Sequence, residues 1–184
     1  MEDTTIQGLK YYKIKSKDII EQLPGILPEI SDLKYVTGHW SAGSHRNYYR
    51  SYQINIINED AILVSSTIDQ YMNHQHTWNR NSKNIGYSYI GMYGATDNDM
   101  GIYPITKNMI ESAGKTLAVL KGKYNYLGWE YFTDHAFFSK RDNYKQYGSM
   151  RWDTEFKLEN GRTVTEETKN KAQWYFKKYI GGDM

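Results

Sequence analysis

The chain has 184 residues, a formal net charge of +2 and 24% charged residues. This length predicts one domain with a substantial core and excludes two large domains, and so balanced a charge gives no electrostatic footprint of nucleic-acid binding. Because the chain contains no cysteine, disulfide bonds and thiolate metal ligands are excluded, and any metal site has to use histidines and carboxylates.

The N-terminal stretch predicts neither export nor membrane insertion. Residues 1–5 lack the basic and apolar regions of a signal peptide, and no run approaches the ~20 apolar residues of a membrane span. We therefore expect a cytoplasmic protein, with residues 1–30 as an N-terminal extension packed on a domain of residues 31–184. In that extension, Ser16 is expected to cap a short helix that ends at Leu23.

The first half of the domain predicts strands. Residues 35–40 have the β-branched and aromatic character of a short buried strand, which places His39 at its carboxyl end, where ligands gather in open α/β sheets. Residues 51–57 alternate as a half-buried strand, and a polar turn joins them to a strand at 61–64 in a hairpin. Residues 85–92 predict a further strand whose glycines allow close approach of another backbone.

A long loop and two helices complete the pattern. Residues 65–84 are polar and rich in Asn and Gln, and a loop of this length raises the expectation of function. Thr106 is expected to cap a helix that runs to about Lys121. The Thr-Val-Thr-Glu pattern at 163–166 predicts a capping box, which opens a final helix running to 181–182.

Two histidines and one aspartate lie where a metal site is expected. A short strand at 129–132 delivers His135 near its end, as the strand at 35–40 delivers His39, and Asp153 follows on a loop. Catalytic zinc requires three such ligands and one open position. The spacing is long and irregular, so by itself it favours ordinary hydrogen-bonded residues near the core edge. Strands and helices intermix without repeats, which predicts an α/β fold: a single domain with a central mixed β-sheet and helices packed on it.

Four sequence blocks follow one another between residues 32 and 155. They are Gly-His-Trp-Ser-Ala-Gly at 38–43, His-Thr-Trp-Asn at 76–79 with Asn81 and Ile-Gly-Tyr-Ser at 85–88, Thr-Asp-His at 133–135, and Arg-Trp-Asp at 151–153. Together and in this order they resemble the type 2 N-acetylmuramoyl-L-alanine amidase family. That family includes phage endolysins, cell-wall recycling amidases and peptidoglycan recognition proteins.

The resemblance implies a zinc enzyme that acts on peptidoglycan. His39, His135 and Asp153 would be the zinc ligands, with aspartate in the place where some members use cysteine. Arg151 stands where many relatives have lysine; it keeps the positive charge and would stabilise an oxyanion, but it is a poor proton donor. The zinc would activate water for attack on the amide between N-acetylmuramic acid and the L-alanine of the stem peptide.

The general base is the residue for which the resemblance offers no direct match. Relatives use a glutamate on the strand that corresponds to 85–92, or a tyrosine shortly before it, and Ser88 stands at the glutamate position here. His76 lies in the matching loop block and titrates near neutrality, so it is the candidate base. Tyr87 and Tyr89 are weaker candidates, because strand alternation turns both to the face opposite Ser88.

Trp40, Trp78 and Asn79 adjoin the expected site residues and are candidates for substrate binding. The two indoles would either stack on the sugar or stem peptide, or simply support the neighbouring site residue. The expected partners are therefore peptidoglycan and muropeptides, with no nucleic acid and no insertion into a membrane. No oligomeric state is predicted.

Four other polar residues near these blocks receive weaker assignments. His45 and His74 fall on no family block and are expected to be solvated loop histidines. Asp134 and Asp142 are expected to be either partners that orient an imidazole or ordinary solvated carboxylates.

The resemblance leaves more than one role open. The His-Thr-Trp-Asn and Arg-Trp-Asp forms resemble phage-type members, so we expect an endolysin that reaches the cell wall through a holin. A cytoplasmic muropeptide-recycling amidase and a non-catalytic peptidoglycan-binding module are the alternatives. A metal-dependent nuclease has little support, because the net charge is too small for a phosphate-gripping surface.

Overall fold

One mixed β-sheet forms the centre of the protein, which we describe from a computed structural model for residues 2–146 and 149–181. In this described part of the chain the sheet has seven strands: β1 (Glu2–Ile6), β2 (Leu9–Lys15), β3 (Tyr35–Trp40), β4 (Ile54–Ile57), β5 (Ala61–Ser65), β6 (Asn84–Tyr89) and β7 (Phe132–Asp134). Their order in space is β1-β2-β5-β4-β6-β3-β7. β3 is parallel to β6 and β7, β4 is parallel to β6, and the remaining neighbours are antiparallel.

Helices pack on this sheet, which confirms the predicted α/β fold class. They are α1 (Ile19–Gln22), α2 (Lys107–Lys123), α3 (His135–Arg141) and α4 (Val164–Tyr179). Two short strands, β8 (Lys145–Gln146) and β9 (Ser149–Met150), form a separate antiparallel pair. Helices α2 and α4 pack closely together at Gly114, where a Cβ atom would lie only 2.8 Å from the Cβ of Lys171.

Several local predictions are confirmed. The strand expected at 35–40 is β3, and the expected hairpin is formed by β4 and β5. Thr106 caps α2 by accepting a hydrogen bond from the backbone N–H of Met109. Thr163 opens α4 with the predicted capping box. The helix ends at Tyr179, and the expected endpoint at residue 182 lies outside the described residues.

The first half of the N-terminal extension expected at residues 1–30 forms part of the main sheet. Strand β2 pairs antiparallel with β5, and β1 pairs with β2, so residues 2–15 form one side of the main sheet. β2 buries Tyr11 in one apolar cluster and Ile14 in another, which ties the strand to both layers of the core. The lysines of β2 interrupt the alternation of apolar and polar residues by which a strand is predicted from the sequence. Ser16 also does not cap a helix, since α1 begins after Asp18 without a side-chain cap.

None of the helices in the described ranges combines the length and the apolar character needed to cross a membrane.

Candidate metal centre

Parallel strand pairing brings the two expected histidine ligands side by side. In the register of β3 with β7, Val36 lies opposite Phe132 and Gly38 lies opposite Asp134. His39 and His135 are therefore the next residues along the two paired segments. The carboxyl ends of parallel strands meet at one edge of a sheet. The imidazole rings lie 4.8 Å apart between centroids.

Asp153 completes a compact, buried group with the two histidines. Its Oδ2 lies 3.5 Å from the Nδ1 of His39 and 3.5 Å from the Nδ1 of His135. One ligand atom from each residue falls within 4.8 Å of the others, and all three side chains are buried. Neither ring nitrogen of His135 has a hydrogen-bond partner among the described residues. Because buried polar atoms are nearly always paired, this orphaned imidazole fits a metal ligand.

The electrostatics of the group also suit a cation. Burial lowers the pKa of His39 to about 4, against the opposing effect of Asp153. Burial alone would raise the pKa of Asp153, but its contacts with the two imidazoles and the charge of Arg151 outweigh burial and hold that pKa below its usual range. Near neutral pH, His39 therefore presents a neutral imidazole to an ionised carboxylate, and these are the protonation states that a metal ion requires.

His76, the candidate general base, lies against the far side of the His39 ring. Its Nδ1 is 3.0 Å from the Nε2 of His39, which is the nitrogen on the side away from Asp153. Its Nε2 is 3.4 Å from the backbone oxygen of Asn84. Burial is the main reason that its pKa falls well below the ordinary histidine range. His76 therefore contacts His39 on the side away from Asp153, and its role as a base stays a prediction.

Arg151 pairs directly with the carboxylate of the group. Its Nη2 lies 3.0 Å from the Oδ1 of Asp153, and its backbone N–H donates to the Oγ of Ser139 at 2.9 Å. The Nε atom is buried and has no partner among the described residues. The guanidinium thus lies beside the carboxylate of the group.

Tyr52 is a site residue that the sequence reasoning missed. Its ring lies 5.2 Å from the ring of His39, and the residue lies two positions before the start of β4 at Ile54. Burial, with the charge of Asp153 as the next cause, raises its pKa above the ordinary tyrosine range. The phenol is therefore a hydrogen-bond donor at neutral pH. The resemblance pointed to a tyrosine shortly before 85–92, whereas Tyr52 lies before β4, and only the pairing of β4 with β6 brings it to Ser88 and the ligands.

The three candidates for substrate binding occupy different environments. Trp78 is 59% exposed and stacks on Tyr144 at 5.1 Å, and Tyr144 stacks in turn on His135 at 6.3 Å. Asn79 is exposed beside it in a left-handed turn with φ of 54°. Trp40, by contrast, is buried edge-to-face against Trp152 at 4.5 Å, which favours the supporting role over substrate binding.

Asp134 contacts backbone and hydroxyl groups rather than an imidazole. One carboxylate oxygen accepts the Phe137 N–H at 2.7 Å and caps α3, and the other accepts the hydroxyl of Thr165 at 2.7 Å. Thr165 also bonds the hydroxyl of Thr154, which follows Asp153. This chain of bonds joins the segments that carry two of the expected ligands.

The remaining candidates lie away from the metal group. Asp142 forms an ion pair with Arg80, with 2.9 Å between Nη2 and Oδ2. The expectation that His74 is solvated is wrong: the side chain is buried, and its Nδ1 lies 2.7 Å from the backbone oxygen of Arg50. His45 lies partly exposed with its Nε2 3.0 Å from the oxygen of Pro104.

Fold and site together define an α/β protein with a buried group of two histidines and one aspartate that could hold a metal ion. Comparison of the chain with protein-family models, with curated proteins and with solved structures found no match. A functional assignment therefore depends on the geometry of the site and on the sequence blocks.

Proposed function

We propose that this protein is a zinc-dependent amidase that cleaves the bond between N-acetylmuramic acid and L-alanine in peptidoglycan. The observation that carries the proposal is the convergence of His39, His135 and Asp153 within 4.8 Å at the carboxyl edge of the sheet. Arg151 and Tyr52 stand beside that group as polar donors. The order of the four sequence blocks supports the same class of enzyme.

Zinc is the metal that this donor set favours. Two imidazoles and a carboxylate, with a fourth position left for water, are a common catalytic zinc arrangement, whereas calcium and magnesium prefer oxygen ligands. Zinc, when bound, would act as a Lewis acid that activates water and polarises the amide carbonyl.

The protein's own residues would stabilise the charge that develops on the amide oxygen. The guanidinium of Arg151 stays protonated beside Asp153, so its positive charge would stabilise that oxygen. The phenol of Tyr52 keeps its proton at neutral pH, since its pKa is raised, and offers a second donor. Water adds to the carbonyl carbon, the carbon–nitrogen bond breaks, and the L-alanine amine leaves with a proton that originates from the attacking water.

The aromatic stack at the surface supports a glycan substrate. Trp78 exposes more than half of its surface, and the stack with Tyr144 leads from it to His135. Flat aromatic faces with a polar edge suit the apolar face of a sugar ring. We therefore place the muramic acid side of the substrate at Trp78, and we propose that the biological setting is that of a phage-type endolysin.

A non-catalytic peptidoglycan-binding module is the second candidate, because one observation favours it. Ser88, which stands where catalytic relatives have glutamate, is fully buried beside β3 in register with His39. Unless Tyr52 and the metal supply the proton transfer, the site binds without cleaving.

Metal analysis combined with an assay on purified cell walls separates the two candidates. The amidase is expected to hold one zinc ion per chain and to release new L-alanine amino termini from the walls. Asp153→Ala serves as the matched variant, which should lose both properties while its circular dichroism spectrum is unchanged. Stoichiometric zinc with wall binding but no new amino termini would leave the binding module, and a wild-type protein that holds no zinc would contradict the metal site.

A further inference from the structure

A third histidine, His76, lies behind the metal group, in a contact that the proposed hydrolysis does not require. The Nδ1 of His76 lies 3.0 Å from the Nε2 of His39, and the hydroxyl of Thr77 lies 2.9 Å from that Nδ1 and 3.3 Å from that Nε2. All three side chains are buried. Each N–H and O–H group of these three side chains therefore needs an acceptor close by within the protein.

The positions of the ring protons follow from the partner of the His76 Nε2 atom. The Nε2 of His76 faces the backbone oxygen of Asn84, and a carbonyl oxygen can only accept, so Nε2 carries the proton. The Nδ1 of a neutral His76 is then an acceptor. It can accept from the Nε2–H of His39 directly, or through the hydroxyl of Thr77. Either route places the proton of His39 on Nε2.

The lone pair of His39 is consequently on Nδ1, which points at Asp153. Two acceptors, this nitrogen and the carboxylate Oδ2, face each other across 3.5 Å. Such an arrangement is unfavourable in a buried site unless a cation lies between the two atoms. The contact between His76 and His39 therefore leaves the Nδ1 lone pair of His39 available to a metal even in the metal-free protein.

We propose that His76 is a positioning residue that holds His39 in the Nε2–H tautomer and so makes Nδ1 the metal-binding atom. The chain from Asn84 through His76 to His39 replaces the carboxylate or carbonyl that usually receives the second N–H of a metal-bound histidine. This inference rests on the metal-binding part of the proposed function and is independent of the reaction that the metal supports.

The surrounding residues hold His76 in this position from two directions. The side-chain oxygen of Asn81 accepts the backbone N–H groups of both His76 and Thr77, at 2.9 and 2.8 Å. On the other side the ring lies against Gly86 of β6, where a Cβ atom would come within 2.5 Å of the His76 Cγ. Asn81 thus fixes the backbone that carries His76, and Gly86 leaves room for its ring.

The test compares His76→Asn with His76→Leu, two side chains of similar size. The asparagine oxygen can take the place of Nδ1 and accept from His39, whereas leucine cannot. Zinc affinity, measured by competition with a chelator, should fall about 10- to 100-fold in His76→Leu. His76→Asn should keep most of the affinity, and His45→Leu, which removes a histidine bonded to the Pro104 oxygen, should match the wild type.

A second measurement reads the tautomer without metal. Long-range proton–nitrogen spectra of the metal-free, ¹⁵N-histidine-labelled protein should show His39 protonated on Nε2 in the wild type and in His76→Asn. A wild-type His39 protonated on Nδ1, or equal zinc affinity in the leucine and asparagine variants, would overturn the inference. If the leucine variant does not fold, the spectra of the other two proteins still decide. If the wild type binds no zinc, the proposed metal fails, while the spectra judge the inference separately.

Discussion

His135 and Asp153 face each other across 3.5 Å, yet they approach the site from different elements, since His135 opens α3 and Asp153 follows the β8–β9 pair. Each is buried, and the ring of His135 has no other polar partner among the described residues. The pair therefore belongs to a buried group that could hold a metal ion.

The first prediction concerns the metal ligands. His135→Ala and Asp153→Ala should each abolish both zinc binding and amidase activity, because either change leaves only two ligands. The proteins should remain folded, since both changes leave the apolar side chains of the core in place. Metal analysis and circular dichroism check this expectation, and full activity in either purified variant would contradict the ligand assignment.

The second prediction concerns the charge of Arg151. Arg151→Ala should lower kcat by about 10²- to 10³-fold, as expected for loss of an oxyanion donor. Arg151→Lys should retain much more activity, because it preserves the positive charge at the site. Steady-state kinetics on soluble muropeptides measure both values. Equal losses of kcat in the two variants would argue against an electrostatic role. They would indicate instead that the guanidinium acts through the geometry of its contact with Asp153.

The third prediction concerns the phenol of Tyr52. Tyr52→Phe removes only the hydroxyl group and should lower kcat by about 10²-fold or more, while zinc affinity is unchanged. Tyr49→Phe is the matched control, because this ring lies 6.5 Å from that of Tyr52 and has no contact with the ligands among the described pairs. An unaltered kcat in Tyr52→Phe would remove the residue from the mechanism.

The fourth prediction concerns the exposed indole of Trp78. Trp78→Ala should raise KM and leave kcat nearly unchanged, since a stacking contact binds substrate and transition state alike. The control is Trp174→Ala, which removes a similarly exposed indole from α4. A fall in kcat without a change in KM would show that the stack with Tyr144 supports His135 instead of the substrate.

The fifth prediction concerns acid stability of the metal-free protein. Burial lowers the pKa of His39 to about 4, so the unfolded chain, with a histidine pKa of about 6.5, binds the proton more readily. The free energy of unfolding should therefore fall as the pH drops from about 6.5 towards about 4, by on the order of 3 kcal/mol from this residue. The lowered pKa values of His76 and Asp153 act in the same direction.

Urea denaturation at several pH values measures this dependence. His45→Gln should show the same loss as the wild type, because the substituted residue lies outside the buried group. Stability that stays constant or rises on acidification would contradict the assignment of a neutral, buried His39.

Patterns of residues close together in the sequence predicted much of the fold. The capping box at Thr163, the cap at Thr106 and the buried strand at 35–40 all depend on residues that are close together in the chain, and all are confirmed. The N-terminal strands were missed because their lysines interrupt the apolar alternation, and because pairing with β5 is a long-range contact. Propensity alone does not report such pairings.

The sequence by itself determined which residue types could form the site: without cysteine, a metal centre had to use histidine and carboxylate, and the ordered blocks singled out His39, His135 and Asp153. Only the tertiary structure decided how they are arranged. The register of β3 with β7 sets the two imidazoles side by side, and the pairing of β4 with β6 brings in Tyr52. The same packing sets the Nδ1 of His76 against the Nε2 of His39, because the direction of a ring nitrogen depends on contacts made across the fold.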